Sequence, residues 1–460
     1  MSDPAVSSDI SPLRHAFDSG VTRDYAWRRQ QLLRLRQAII DREDTIAAAL
    51  HTDLNKGREE TYATETGLVL AEIRFLLKHL RSWMRPQSVG TNLVNLPAAS
   101  RIYHDPLGVI LIVAPWNFPF QLSLLPLAAA IAAGNTVVLK PSEMAPATAA
   151  VIAGLLGEIF PADMVRVIQG DGATIVPDLI RGFRFDHIFF TGSIPVGRSI
   201  YRMAAEQLVP VTLELGGKSP VIVAADADAA VTARRIIVGK FANAGQTCIA
   251  PDYLLVHAEK SDELLHHLRR TLTGFYGPHP ENSPDYGRII NEKRFDTLVR
   301  YLSDGKIVHG GAHDRAARYI APTLLTEVSP EAPVMQDEIF GPLLPIFIWR
   351  TMEEALALIR RHPDPLAFYL FAKDKRLQRQ WVDALPFGGG CINNTDWHFT
   401  NPHLPFGGIG NSGIGAYHGK YSLERFSHAK AVMRSYTFID PRVKYPPFKG
   451  KMKWFRIFIR

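Results

Sequence analysis

The stretch GVILIVAPWNFPFQLSLLPLAAAIAAGNTVVLKPSE, from Gly108 to Glu143, decides how this chain folds. It opens with an uninterrupted apolar run, GVILIVAP, and closes with a second, TVVLKPSE. A strand with one wet face would alternate apolar and polar residues. These do not, so both faces of the sheet they form must be covered. Between them, LSLLPLAAAIAAG has the length and composition of a helix ended by glycine. The unit is strand, helix, strand, the signature of a parallel sheet.

The same alternation continues. APATAAVIAGLLGEIF reads as a helix, and MVRVIQG, DHIFFTG and VTLELGG as further strands separated by helical segments. Sheets of this kind bind ligands beyond the carboxyl ends of their strands. The block from Leu122 to Ala133 resembles a membrane span only superficially. Pro126 interrupts it, Gly134-Asn135 ends it, and it falls short of about 20 residues.

Working outward, Ser11 to about Met84 has apolar residues at helical spacing, as in LLRLRQAIIDREDTIAAAL and TGLVLAEIRFLLKHLRSWM. Pro86 closes that section. Gln87 to His104 reads as an extended, polar arm. A second α/β section starts after Gly217, with SPVIVAA, a helix around Val231 to Asn243, YLLVHA, APTLLTEV, LPIFIWR and PFGGGCINN. There is no internal repeat and no low-complexity segment.

Composition sets outer bounds. The chain has 460 residues, 47% of them hydrophobic, so two or three folded units are expected. Its two cysteines, Cys248 and Cys391, cannot build a disulfide framework, which points to a reducing, cytoplasmic compartment. The N-terminus has no basic start and no apolar block, so a signal peptide is not expected, and the first ten or so residues should fray. A net charge of +7 is a mild excess at this length, and no aromatic-interleaved basic stripe suggests nucleic acid. The exception is Lys444 to Arg460, with six Lys or Arg and no acid, ending in MKWFRIFIR. That tail either packs on the body or on a partner subunit, or makes weak peripheral membrane contact. No metal is expected, because the 16 histidines are read as lacking paired ligand spacing with a nearby carboxylate.

The strand ends carry the chemistry. The first ends at Asn117, set between Trp116 and Phe118 and flanked by Pro115 and Pro119. A rigid amide in apolar surroundings is a good donor to a developing oxyanion, and a turn asparagine fits the same residues. The second ends in Lys140, Ser142 and Glu143, which can bond the ribose or phosphate of a nucleotide or simply form a solvated loop with a helix cap. A later strand runs into a helix through FFTGSIPVG, where Gly192 and Gly197 bracket four residues. Small residues there let backbone N–H groups approach a pyrophosphate. The spacing is not GxGxxG, and an ordinary helix start reads the same.

Glu214 lies inside the apolar run VTLELGG. Burial would raise the pKa of its carboxyl, as a base working near neutral pH requires; the alternative is an exposed edge. Cys248 follows in FANAGQTCIAPDY, after Asn243, Gly245, Gln246 and Thr247. An N–H-rich turn at that place would lower the thiol pKa and make a nucleophile. An inert buried thiol is the alternative, and is the expectation for Cys391.

Taken together and in order, VAPWNFPF, LKPSE, FTGSIPVG, LELGGKSP, GQTCIAPDY, QDEIFGP and LPFGGIGNSG resemble the NAD(P)-dependent aldehyde dehydrogenase superfamily. The resemblance runs from about residue 15 to 447. GKSP, CIAPDY, GRIIN, GGAHDRAARYIAPT, VMQDEIFGP and GNSGIGAYHGK are most similar to its class 3 branch, which includes the dioxin-inducible, fatty and coniferyl enzymes.

The resemblance implies an α/β chain with a Rossmann-type cofactor domain (1–86 and 105–214), an α/β catalytic domain (215–412), a β oligomerisation arm (87–104 and 430–447) and a basic aromatic tail (448–460). It implies Cys248 as nucleophile, Glu214 as the base that activates water, and Asn117 with the backbone N–H of Cys248 as oxyanion donors. NAD, NADP or both would be held by Lys140, Glu143, the turn Gly192–Ser193 to Gly197, Glu338 and Phe340. Trp116, Phe118 and Phe406, with Trp397 or Phe399, would line a pocket for medium or long aliphatic or aromatic aldehydes. A homodimer is implied as well. A coenzyme A-acylating relative of the same fold, and a non-catalytic protein that kept it, are the rivals.

Overall fold

The alternation that begins at Gly108 folds as a sheet covered on both faces. The structure, a computed structural model, describes residues 10–459; the expected fraying of the first ten residues falls almost wholly outside these. Strands Val109–Val113, Thr136–Lys140, Val165–Val167, His187–Gly192 and Val211–Leu215 run parallel, and the short Gly413–Ile414 pairs antiparallel at one edge. Val109–Val113 is central, between Thr136–Lys140 and His187–Gly192, and buried along its whole length. The uninterrupted apolar run therefore reports a strand with no wet face.

The helix between the first two strands, Gln121–Ala133, has all of its 13 residues buried. That explains its membrane-like composition: it is sandwiched inside the protein. Gly134 closes it at φ 92°, a left-handed cap that glycine adopts without strain. N-terminal helices Tyr25–Asp41 and Gly67–Trp83 pack against it.

The second section forms a seven-stranded sheet. Strands Thr323–Thr326, Leu343–Trp349, Tyr253–His257, Pro220–Val223, Ala367–Phe371 and Gly389–Ile392 are parallel in that spatial order, and Lys306–His309 is antiparallel at the edge. The helix expected around Val231 to Asn243 spans Ala229–Phe241 and stops before Asn243 and Ala244, whose φ angles are 51° and 52°. Left-handed conformations at two non-glycine residues end the helix and turn the chain towards Cys248.

The arm is a three-stranded antiparallel sheet, Gln87–Val89, Ala98–Pro106 and Ser427–Ser435. Its strands reach past the expected limits of 104 and 430, because the pairing runs to Pro106–Ser427. The chain also returns to the first sheet through Gly413–Ile414, opposite Glu214, a return that the sequence did not signal. Among the described residues no helix is long and apolar enough to cross a membrane.

Candidate active site

Asn117, Glu214 and Cys248 come from different parts of the chain and line one cavity of about 340 Å³. Trp116, Gly192, Ser193, Glu338 and Phe340 line it too, and so do Arg294 and Asp337. The cavity lies beyond the carboxyl ends of the parallel strands of the first sheet, where such folds place ligands.

Glu214 is the penultimate residue of the buried strand Val211–Leu215, and neither of its carboxylate oxygens has a hydrogen-bond partner. Burial pushes its carboxyl well above the usual range, against a smaller opposing pull from Arg425. The expectation of a buried, basic carboxylate holds geometrically, and the exposed-edge alternative does not.

Cys248 is half-buried with its thiol on the cavity. A backbone hydrogen bond at Cys248 does pull the thiol pKa down, as the turn suggested, but larger contributions oppose it. Burial raises it, and the carboxylates of Glu338 and Glu214 raise it further. The preceding turn spends its hydrogen-bonding groups internally. The Asn243 N–H donates to Glu60 (2.8 Å), and the Gln246 side chain donates to the carbonyls of Asn243 (3.0 Å) and Arg288 (2.9 Å). Burial, the larger cause, disfavours the charged thiolate in this cavity.

The Asn117 side-chain amide donates one hydrogen to the Gln246 carbonyl at 3.0 Å. An amide NH₂ carries two donors, so the second remains for a ligand in the cavity.

The remaining walls suit a dinucleotide. Helix Ile194–Glu206 opens onto the cavity at Ser193, giving an anion its positive end. Glu338 reaches over Gly216, where a Cβ would stand 1.8 Å from its Oε2. Burial, with Asp252 nearby, raises the Glu338 carboxyl to about 8. Phe340 holds φ 46° and meets Trp116 edge-to-face, ring centroids 5.2 Å apart. A left-handed phenylalanine is strained, and such strain is typical of ligand sites.

Other expected residues stand elsewhere. Lys140 and Glu143 form an ion pair at the end of Thr136–Lys140, with Glu143 also accepting the Gly172 N–H. They sit on the neighbouring strand end, outside the lining of this cavity. Gly197 is inside its helix, where its missing side chain makes room for Leu215. Phe118 does not line the cavity; its ring faces the Lys56 amine at 4.0 Å. Phe406 does not line it either, being buried among the rings of His398, Phe399, Tyr417 and His418. Phe399 lines a second space of about 60 Å³ with Glu72, Leu125 and His418, whereas Trp397 is 60% exposed. Cys391 lies 3.7 Å from His398 Nδ1, outside the cavity.

Arg294 and Gly216 were not read from the sequence. Arg294 holds the carbonyls of Glu338 and Ile339 from the amphipathic helix Glu292–Tyr301, and only its surface-like pattern is visible in one dimension. The histidines contain one HxxxH after all, His309 to His313 beside Asp314. It falls on two short strands, not a helix. Among the described residues no group of three or more His, Cys, Asp or Glu could hold a metal.

Comparison with known proteins agrees with this architecture. The aldehyde dehydrogenase family model matches residues 6–432. A 4,4'-diaponeurosporen-aldehyde dehydrogenase from Staphylococcus aureus is 47% identical, over 96% of this chain and 97% of that protein. Aldehyde dehydrogenase family 3 member H1 from Arabidopsis thaliana is 44% identical over 97% and 93%. The dimeric NADP-preferring aldehyde dehydrogenase of Mus musculus is 42% identical over 97% and 99%. Among solved structures, the substrate-bound Staphylococcus aureus AldH superposes with a TM-score of 0.97 at 45% identity, each chain fully covered. An NAD+ complex of a Bacillus cereus aldehyde dehydrogenase superposes at 0.85 with 26% identity over 94% and 90%. The chain belongs to the aldehyde dehydrogenase family, in its class 3 branch, and is an NAD(P)-dependent enzyme that oxidises aldehydes to carboxylic acids.

Proposed function

We propose that Cys248 is the nucleophile, Asn117 an oxyanion donor and Glu214 the base that activates water. The observation that carries this is their convergence on one cavity. The Cys248 sulfur adds to the aldehyde carbon, and the free Asn117 amide hydrogen and the Cys248 N–H hold the oxygen. One such donor contributes ~3 kcal/mol in the transition state. Bound NAD(P)+ supplies a positive ring that favours the thiolate and accepts the hydride. The resulting thioester is attacked by water that gives its proton to Glu214, and the acid leaves. Apolar walls around Glu214 keep that carboxylate basic.

Glu338 and Phe340 hold the nicotinamide end, the Ser193 helix start the pyrophosphate, and Lys140 and Glu143 the adenosine ribose. Gly216→Ala tests the Glu338 assignment. The new Cβ must push the carboxylate aside. A roughly 10- to 100-fold fall in kcat/KM for the cofactor is expected, the scale of a displaced positioning group. An unchanged value would remove Glu338 from the site.

The substrate is a medium or long apolar aldehyde. The name of the Staphylococcus aureus relative supports this. The experiment is a panel of aldehydes of increasing chain length, with NAD and NADP in parallel and coenzyme A absent. Reduced cofactor and free acid are expected in equal amounts, with kcat/KM rising with chain length. A requirement for coenzyme A would instead favour the acylating reading.

The arm pairs two copies into a homodimer; its outer strand Ser427–Ser435 is exposed almost throughout. The tail is proposed to touch anionic membrane surfaces. Phe448, Met452, Trp454, Ile457 and Ile459 are exposed beside six Lys or Arg. Co-sedimentation with phosphatidylserine vesicles should be weak, salt-sensitive and lost on removing residues 448–460. Vesicle-independent behaviour would assign the tail to the partner subunit.

A further inference from the structure

A buried ion pair from the N-terminal helical section reaches the catalytic turn. Lys56 and Glu65 have fully buried side chains, 2.5 Å apart. Burying two charges seldom stabilises a fold better than apolar residues would. What this pair does locally is hold peptide groups.

The Lys56 amine also donates to the carbonyl of Asn117 at 3.1 Å and faces the Phe118 ring. The other Glu65 oxygen accepts the N–H groups of Phe120 (3.1 Å) and Gln121 (2.8 Å). The Asn117 carbonyl has a second donor, the Asn243 side chain at 2.8 Å, which also donates to the Gln246 carbonyl at 3.2 Å. So the Asn117 carbonyl is fixed from two sides, and one of its amide hydrogens is fixed on Gln246. With those constraints, the second amide hydrogen has one direction left.

We propose that Lys56, held by Glu65, is a positioning residue for the oxidation: it fixes the Asn117 peptide and thereby aims the Asn117 amide at the developing oxyanion. This rests on the assignment of Asn117 as oxyanion donor. Lys56 does not line the cavity, so it acts through Asn117. Its loss leaves the donor present but loosely aimed, and the cost falls on the transition state alone.

The test is a double-mutant cycle on the full-length protein, read as kcat/KM for an aldehyde. Lys56→Met should lower it roughly 10- to 100-fold, with the dissociation constant for NADH within about twofold of native. Asn117→Ala should lower it about 100-fold. The double variant should be no worse than Asn117→Ala alone. Lys56→Met leaves a buried carboxylate uncompensated, so Lys56→Met/Glu65→Gln is measured in parallel and should show the same loss in a protein that binds NADH normally. Native kcat/KM in either Lys56 variant, or losses that multiply with Asn117→Ala, would overturn the inference and leave Asn117 in place. A native rate in Asn117→Ala would instead overturn the oxyanion assignment itself.

Discussion

Cys248→Ser is expected to lose at least ~10³-fold in aldehyde oxidation while binding NAD(P)H with native affinity. The chemistry sets the size of this effect. A thiol becomes a usable anion within reach of neutral pH, whereas a serine hydroxyl needs a strong base to lose its proton. Even the raised carboxyl of Glu214 is far too weak a base to ionise an alcohol. The serine oxygen is smaller than sulfur, so packing should not suffer and the melting temperature should stay close to native. The measurement is reduced-cofactor formation under single-turnover conditions, with a fluorescence titration of NADH alongside. Residual turnover within tenfold of native would remove Cys248 from the reaction.

Glu214→Gln should separate the two halves of the reaction. Thioester formation does not need a water-activating base, and its hydrolysis does. Mixing with saturating cofactor and aldehyde should give a burst of about one reduced cofactor per site, then a steady state lowered by roughly 10²- to 10³-fold, the range for a lost general base. The pH dependence has a definite sign. A base acts only when deprotonated, and burial raises this carboxyl well above its ordinary value. Native kcat should therefore climb as pH rises through the elevated pKa, and the variant should lose that climb. Stability should not fall, because both Glu214 oxygens lack hydrogen-bond partners; glutamine removes a buried charge there. A variant with no burst, or with native steady-state turnover, would sink the assignment of Glu214.

Much of this site was legible because its residues sit at strand ends. In a buried parallel strand every residue faces protein, so the first polar residue after the run marks where the sheet opens. Asn117 is found this way, and Glu214 stands out as the lone carboxylate inside such a run. Arg294 could not be. It sits on an ordinary amphipathic helix, and only the fold shows that its guanidinium reaches the carbonyls of Glu338 and Ile339. Phe118 and Phe406 lie off this cavity for the reverse reason: an aromatic residue beside a motif can turn onto a buried amine or pack into the core as readily as onto a cavity.

Sequence alone indicated the first parallel sheet, a second α/β section, an extended arm and the family, because apolar runs, glycine stops and motif order are properties of the chain itself. For Glu214 it left burial and an exposed edge open, and the fold takes the buried alternative. Only the tertiary structure decided the state of the Cys248 thiol. Its turn suggested a lowered pKa, but pKa follows from what stands opposite, and Glu338 stands 90 residues further along the chain. The hold of Lys56 and Glu65 on Asn117 was settled in the same way. Electrostatics and hydrogen bonds act across a few ångströms of space, and the order of residues along a chain does not say which of them will share it.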